Sequence, residues 1–379
     1  AYSASLTPNP CHLRPHCPAK DRLYLWQPIT KRSSKDAQGK HLPLNATDIE
    51  RIWEVMVHAY AESTRETYGS GLLVFHVFCD SKTIPEEQRA PASNILIETF
   101  ISCMVGNYSG KMVSNYINGV RAWHIVHGAE WSLNNAEIDA MLKAAISLTP
   151  VNAKRSKREP YTTDLIIAIR EKLNLDNPLD PSVFACLTTT FYATARVGEF
   201  TVPRLNTFDL NLHVSLSCVK DMRDRQNLAT KNFHLPQTKS APEGEDVHWA
   251  KQAGLSDPEE AFLNHLRINE PPNNFTLFAY RHKDNTHRPL TKSKFLSRLA
   301  SAMKAAGREP LQGHGIRIGS TLEYLLRNVP FDVVKVKGRW ASDAFLAYLR
   351  KHAQIMAPYM QAIPTLHNEF LRCTIPPVR

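Results

Sequence analysis

The sequence predicts a mainly α-helical protein with a small antiparallel β-sheet, and three observations carry that prediction. Apolar residues recur at helical spacing from Asn45 through most of the chain. Strand character is confined to short runs, "HVSLSCVKDMRD", "NLATKNFHLPQTKS" and "EDVHWAKQ", with "APEGED" as the turn between the last two. A basic run bounded by prolines, "TPVNAKRSKREP", interrupts the helical pattern and divides it into two domains. A length of 379 residues suits two domains, and an apolar content of 43% supplies real cores and argues against wholesale disorder.

Residues 1–45 are rich in Pro and basic side chains with little periodicity, and read as an extended arm in which "LYLWQP" can dock as an apolar anchor. Cys11, His12, His16 and Cys17 crowd together there, but their spacing matches no standard zinc finger and Pro15 and Pro18 stiffen the segment, so no metal is expected. Residues 46–149 read as a helical domain of five helices. "NATDIERIWEVMVHAY" opens with a cap signal. "STRETYGSGLLVFHVFCD" follows, then "ASNILIETFISCMVGNY" with Ser93 or Asn94 as cap, "SGKMVSNYINGVRAWHIVHG" and "NNAEIDAMLKAAISL".

Residues 150–160 form the basic linker, and residues 161–355 a second domain. Its helices are "YTTDLIIAIREKLNL", "DPSVFACLTTTFYATARVGEF", "DPEEAFLNHLRINE" and "SKFLSRLASAMKAAG", then three short ones: "GIRIGSTLEYLLRN", "PFDVVKVKG" and "SDAFLAYLRKHAQ". Pro330 starts the second of these, Gly338 ends it, and Ser342 caps the third. Residues 356–379 are a tail.

A net charge of +10 and a pI near 9.2 point to a polyanionic partner, with nucleic acid first. Seven cysteines without a framework spacing suit a reducing compartment. No apolar run approaches a membrane span, so no membrane partner is expected. The first residues lack the apolar stretch of a signal peptide, which leaves the nucleus or cytosol as the expected location.

Several residues carry candidate chemistry. The fourth helix sets Val113, Tyr116, Ile117, Val120 and Trp123 on an apolar face, opposite Lys111, Ser114, Asn115, Asn118 and Arg121. Short polar side chains flanked by positive charge can read base edges in a major groove. Lys154, Arg155, Lys157 and Arg158 of the linker suit a segment that crosses a phosphate backbone. In "GHGIRIGS", His314 and Arg317 stand three apart at a helix start, where two donors on one face can grip one anion. Arg196 in "ATARVGEF" offers a second guanidinium, Glu199 can brace it, Lys239 precedes the hairpin turn, and Tyr348 sits in "AFLAYLRKH".

In order and spacing this set resembles that of the tyrosine recombinases, the lambda-integrase and Cre-like DNA breaking–rejoining enzymes. The likeness covers residues 160–360. Arg196 with Glu199, the hairpin Lys239, Gly313 with His314 and Arg317, Trp340 in "KGRWASD" and Tyr348 match the family pattern in turn. The fragments "LRPHCPAKDRLYLW" and "GRWASDAFLAYLR" look more specifically like fungal mobile-element recombinases of the Crypton or DIRS-like kind. The resemblance implies a catalytic domain over 161–355 and a core-binding, DNA-binding domain over 46–149. It implies an enzyme that acts on double-stranded DNA without cofactor, metal or ATP, as a dimer on one site and a tetramer in synapsis, with the tail docked on a neighbouring protomer; of the two expected locations, the nucleus is then preferred. Tyr348 would be the nucleophile, Arg196 and Arg317 the phosphate clamp, His314 and Trp340 further donors, Lys239 the general acid and Glu199 an orienting group. The Trp340–Tyr348 interval is tighter than in many relatives. Lys231 rivals Lys239, and Tyr359, behind Pro358, rivals Tyr348. A recombinase-derived DNA-binding protein without catalysis, or a type IB topoisomerase-like enzyme, would use the same fold.

Overall fold

A computed structural model describes residues 6–30, 32–34, 39–154, 158–341, 346, 354, 355 and 357. The chain divides into two compact units, Ala1–Ser156 and Lys157–Arg379.

The first unit is helical: α1 (Ala19–Leu25), α2 (Ala46–Met56), α3 (Glu62–Ser81), α4 (Asn94–Met104), α5 (Gly110–His127) and α6 (Asn135–Ser147). The caps follow from sequence. Asn45 and Asp48 form a capping box on α2, the Ser93 and Ser109 side chains cap α4 and α5, and Gly128 ends α5 in the left-handed region. Glycines let the helices meet backbone to backbone. A Cβ on Gly69 of α3 would stand 1.8 Å from the Ala19 carbonyl oxygen, and one on Gly119 of α5 2.6 Å from that of Tyr68. The expected extended arm over 1–45 is in part otherwise. Its Pro-rich stretch conceals α1, whose Leu23, together with Trp26, is fully buried in the unit's core. Trp26 donates its indole N–H to the Pro15 carbonyl and accepts that of Trp123 on its own carbonyl.

The second unit contains α7 (Thr163–Arg170), α8 (Leu179–Tyr192), α9 (Val197–Phe200), β1 (Val219–Arg223), β2 (Ala229–Leu235), β3 (Glu245–Trp249), α10 (Pro258–Asn269), β4 (Tyr280–Arg281), β5 (His287–Arg288), α11 (Lys292–Ala305), α12 (His314–Leu326) and α13 (Phe331–Lys337). Helix α8 is buried along Asp180–Tyr192 and forms the centre of the core, as an all-round apolar helix must. The sheet is antiparallel in the order β1-β2-β3, with Phe233 opposite both Val219 and Val247. Phe233, Leu235, Val247 and Trp249 turn inward onto the core. The two-residue pair β4–β5 is too short for the sequence pattern to reveal. No helix among the described residues is long and apolar enough to cross a membrane.

Candidate active site

The site is built around the start of α12. His314 is its first residue and is exposed; Arg317, one turn on, is only 2% exposed. Two glycines hold the chain after the linker against this helix. A Cβ at Gly315 would come within 2.6 Å of the Glu159 carbonyl oxygen, and one at Gly319 within 1.9 Å of that of Tyr161. The Tyr161 amide donates to the Gly315 carbonyl at 3.0 Å. Arg158 is thereby brought beside the helix start.

Arg317 donates to the Gly338 carbonyl, and its guanidinium lies 4.2 Å from the centroid of the Trp340 ring. Gly338 ends α13 as the sequence predicts, with φ −82°, and the left-handed residue is the next one, Arg339, at φ 57°. Gly338 is required for another reason: a Cβ there would overlap the Trp340 ring.

Past α8, Arg196 caps the short α9. Glu199 accepts the Arg196 amide at 2.7 Å and its guanidinium at 2.8 Å, and accepts Arg339 at 2.6 Å. Burial would raise the Glu199 carboxyl, but Arg339 and then the Arg196 hydrogen bonds outweigh it and hold the group below its ordinary value. Arg339 also pairs with Glu245 at 2.6 Å. Glu245 accepts the hydroxyls of Thr238 and Ser240, which flank Lys239. Pro236 ends β2 at Leu235, because it lacks the N–H a ladder needs. Lys239, expected at the strand's end, therefore lies exposed in the β2–β3 connection. Lys231, the rival lysine, lies on β2 with its amine on Asp221 and 5.7 Å from the Phe262 ring centroid.

Arg196, His314 and Arg317 line one open cleft of about 800 Å³, together with Arg158, Lys292 and Gly313. Four cations and one imidazole line it, with no carboxylate among the described residues, so it suits a phosphate diester. Lys239 is not among the lining residues and is connected to the cleft through Glu245, Arg339 and Glu199. Tyr348, its rival Tyr359, Ser342, Arg155 and Lys157, with the tail after residue 357, lie outside the described residues. In the first unit Lys111, Asn118, Arg121 and Lys154 are exposed, and Ser114 and Asn115 half-buried, with Val113, Ile117, Val120 and Trp123 buried on the other face.

Two residues escaped the sequence reading. Lys292 opens α11, where a cation opposes the helix dipole, and that mismatch was a readable signal. Arg339 reads in "KGRW" as an ordinary surface charge, and nothing in the pattern marks its burial.

No family model matches the chain, and no curated protein does. Among solved structures, the XerH site-specific recombinase bound to palindromic difH substrate, a post-cleavage complex, aligns with a TM-score of 0.53 at 13% identity, covering 83% of this chain and 84% of that one. The same recombinase in a pre-cleavage complex aligns at 0.48 with 13% identity, over 84% and 85% of the two chains. A lambda integrase dimer bound to a core site aligns at 0.44 with 13% identity, over 79% and 92%. The chain shares the fold of the XerH recombinase.

Proposed function

We propose that this protein is a site-specific DNA recombinase or integrase that cuts and rejoins strands through a 3′-phosphotyrosine. The observation that carries the reading is the convergence of Arg196, His314 and Arg317, distant in sequence, on one cleft that no carboxylate lines among the described residues. A fold shared with XerH, a protein solved with its difH substrate, supports it.

In the proposed reaction the Tyr348 oxygen bonds to a backbone phosphorus as the bond to the 5′ oxygen breaks. The phenol's proton passes to His314, and Lys239 protonates the departing oxygen. The transition state gathers negative charge on its non-bridging oxygens, where Arg196 and Arg317 act as fixed cations with His314 and Trp340 as further donors. Glu199 holds Arg196 in place. The ester stores the bond energy, so a 5′-hydroxyl from another strand reverses the step without ATP or metal.

The exposed face of α5, with Lys111, Ser114, Asn115, Asn118 and Arg121, and the basic run of Lys154, Arg155, Lys157 and Arg158 would hold duplex DNA. The basic net charge supports that assignment. The finer reading is a fungal mobile-element recombinase of Crypton or DIRS-like kind, acting in the nucleus as a dimer on each site and a tetramer in synapsis. It rests on the fragments that carry the resemblance.

A nicked duplex from the flanks of the source element tests the reading. Wild-type protein should form an adduct that survives denaturation, and Tyr348→Phe should not. Tight, sequence-specific binding without any adduct would favour a non-catalytic DNA-binding protein, and relaxation of supercoils without joining of two sites a topoisomerase.

A further inference from the structure

Arg339 stands where its backbone is disfavoured. A φ of 57° is rare for a long side chain and persists when surrounding contacts enforce it. Those contacts are two ion pairs from a side chain that is 10% exposed, at 2.6 Å to Glu199 and 2.6 Å to Glu245. Glu199 is the brace of Arg196. Glu245 opens β3 and holds the hydroxyls on either side of Lys239. Two residues earlier, the Lys337 ammonium donates to the His248 carbonyl of β3 at 3.0 Å, so the end of α13 is tied to that strand at two points.

We propose that Arg339 is a positioning residue for DNA cleavage: it fixes the connection that bears Lys239 to the Arg196–Glu199 pair. The acid and the phosphate clamp are thereby set relative to each other. This rests on the recombinase reading above. In that step the P–O5′ bond breaks, the oxygen takes a proton from the Lys239 ammonium, and a neutral amine remains. A residue that merely supports the fold affects every leaving group alike. One that positions the acid matters only when the leaving group needs a proton.

The test uses the full chain and a nicked duplex that the wild-type protein cuts, with its scissile strand either ordinary or carrying sulfur in place of the 5′-bridging oxygen. A thiolate leaves unprotonated. Arg339→Gln, Glu245→Gln and Lys239→Ala should each slow adduct formation roughly 100-fold on the oxygen strand and return to about the wild-type rate on sulfur. Arg339→Lys, which keeps the charge, should fall between. Arg196→Gln should stay slow on both. Recovery on sulfur also shows that each variant is folded. Arg339→Gln equally slow on both strands, or as fast as wild type on oxygen, overturns the proposal. A wild type that cuts no duplex defeats the recombinase reading and this proposal with it; an active wild type with an unrescued Arg339→Gln defeats this one only.

Discussion

The guanidinium carbon of Arg317 lies over the Trp340 ring, 4.2 Å from its centroid, while its Nη2 donates to the Gly338 carbonyl. One tripeptide, Gly338 to Trp340, therefore aims a buried cation. A desolvated stack of this kind contributes about 2 kcal/mol, so Trp340→Ala should slow adduct formation roughly 30-fold, and Trp340→Phe less. Arg317→Lys loses both the fork and the stack and should cost on the order of 100- to 1,000-fold. Single-turnover rates on the nicked duplex check both. A Trp340→Ala rate equal to wild type would remove the stack from the mechanism.

Glu199 is 8% exposed on its side chain and carries Arg196 and Arg339 together. Replacement by Gln leaves Arg196 without its counter-charge and Arg339 with Glu245 alone, and should destabilise the second unit by about 3 kcal/mol. The sign with pH is fixed by the lowered carboxyl. Its contribution is present above the ordinary glutamate value of about 4.3 and is lost as pH falls through the lower folded value. Urea titrations between pH 3 and 7 should show a shallower acid limb for Glu199→Gln. Parallel limbs would disprove the linkage.

Much of this arrangement was legible in the chain. The caps at Asn45 and Ser93 and the three strands follow from local chemistry that tertiary structure left intact. The pairing of Glu199 with Arg196 was legible because a three-residue spacing sets them on one turn. Arg339 was not. Its role depends on Glu245, 94 residues away, and on a left-handed backbone that no side chain of its kind advertises. Helix α1 was hidden for a different reason: seven residues between prolines are too few for periodicity to register.

Gly319 has no room for a methyl group, since a Cβ would stand 1.9 Å from the Tyr161 carbonyl oxygen, and a backbone atom cannot swing aside. Gly319→Ala should destabilise the protein by about 3 kcal/mol or more and release the segment that holds Arg158 at the cleft. Gly198 in α9 is the contrasting case, with nothing within 4 Å of its Cβ position. Gly198→Ala should be neutral or stabilise by up to about 1 kcal/mol. Thermal melts of the two variants settle the contrast; equal losses would contradict the close approach.

Acid should weaken the first unit before its carboxylates protonate. Burial, then Arg14, Arg89 and His124, hold the His76 imidazole well below its ordinary value, and burial brings His124 and His127 down to about 4. His124 accepts the Ala92 amide on Nε2, so its proton sits on Nδ1 against the Val120 carbonyl, and a second proton would break the Ala92 bond. The unfolded chain takes up protons near pH 6.5 that the folded unit refuses, so stability falls as pH drops from about 6.5 towards 4. Hydrogen exchange of α3 and α5 amides across that range should show the loss, and His124→Gln should reduce its slope. Flat protection down to pH 4 would contradict it.

The exposed face of α5 is held rigid from behind, by Gly119 against Tyr68 and by buried Val113, Ile117, Val120 and Trp123. Where this face meets DNA as proposed, side chains fixed this way divide by chemistry into two kinds of contact. Lys111 and Arg121 are cations suited to phosphates, so Lys111→Ala and Arg121→Ala should each lower the slope of log affinity against log salt by about 1 and weaken all sequences alike. Asn118 carries a neutral amide suited to adenine, so Asn118→Ala should leave the slope unchanged and relax base preference at one position by roughly 10-fold. Titrations of duplex DNA at several salt concentrations separate the two. Unchanged slopes in both cation variants would move the DNA to another face of the unit.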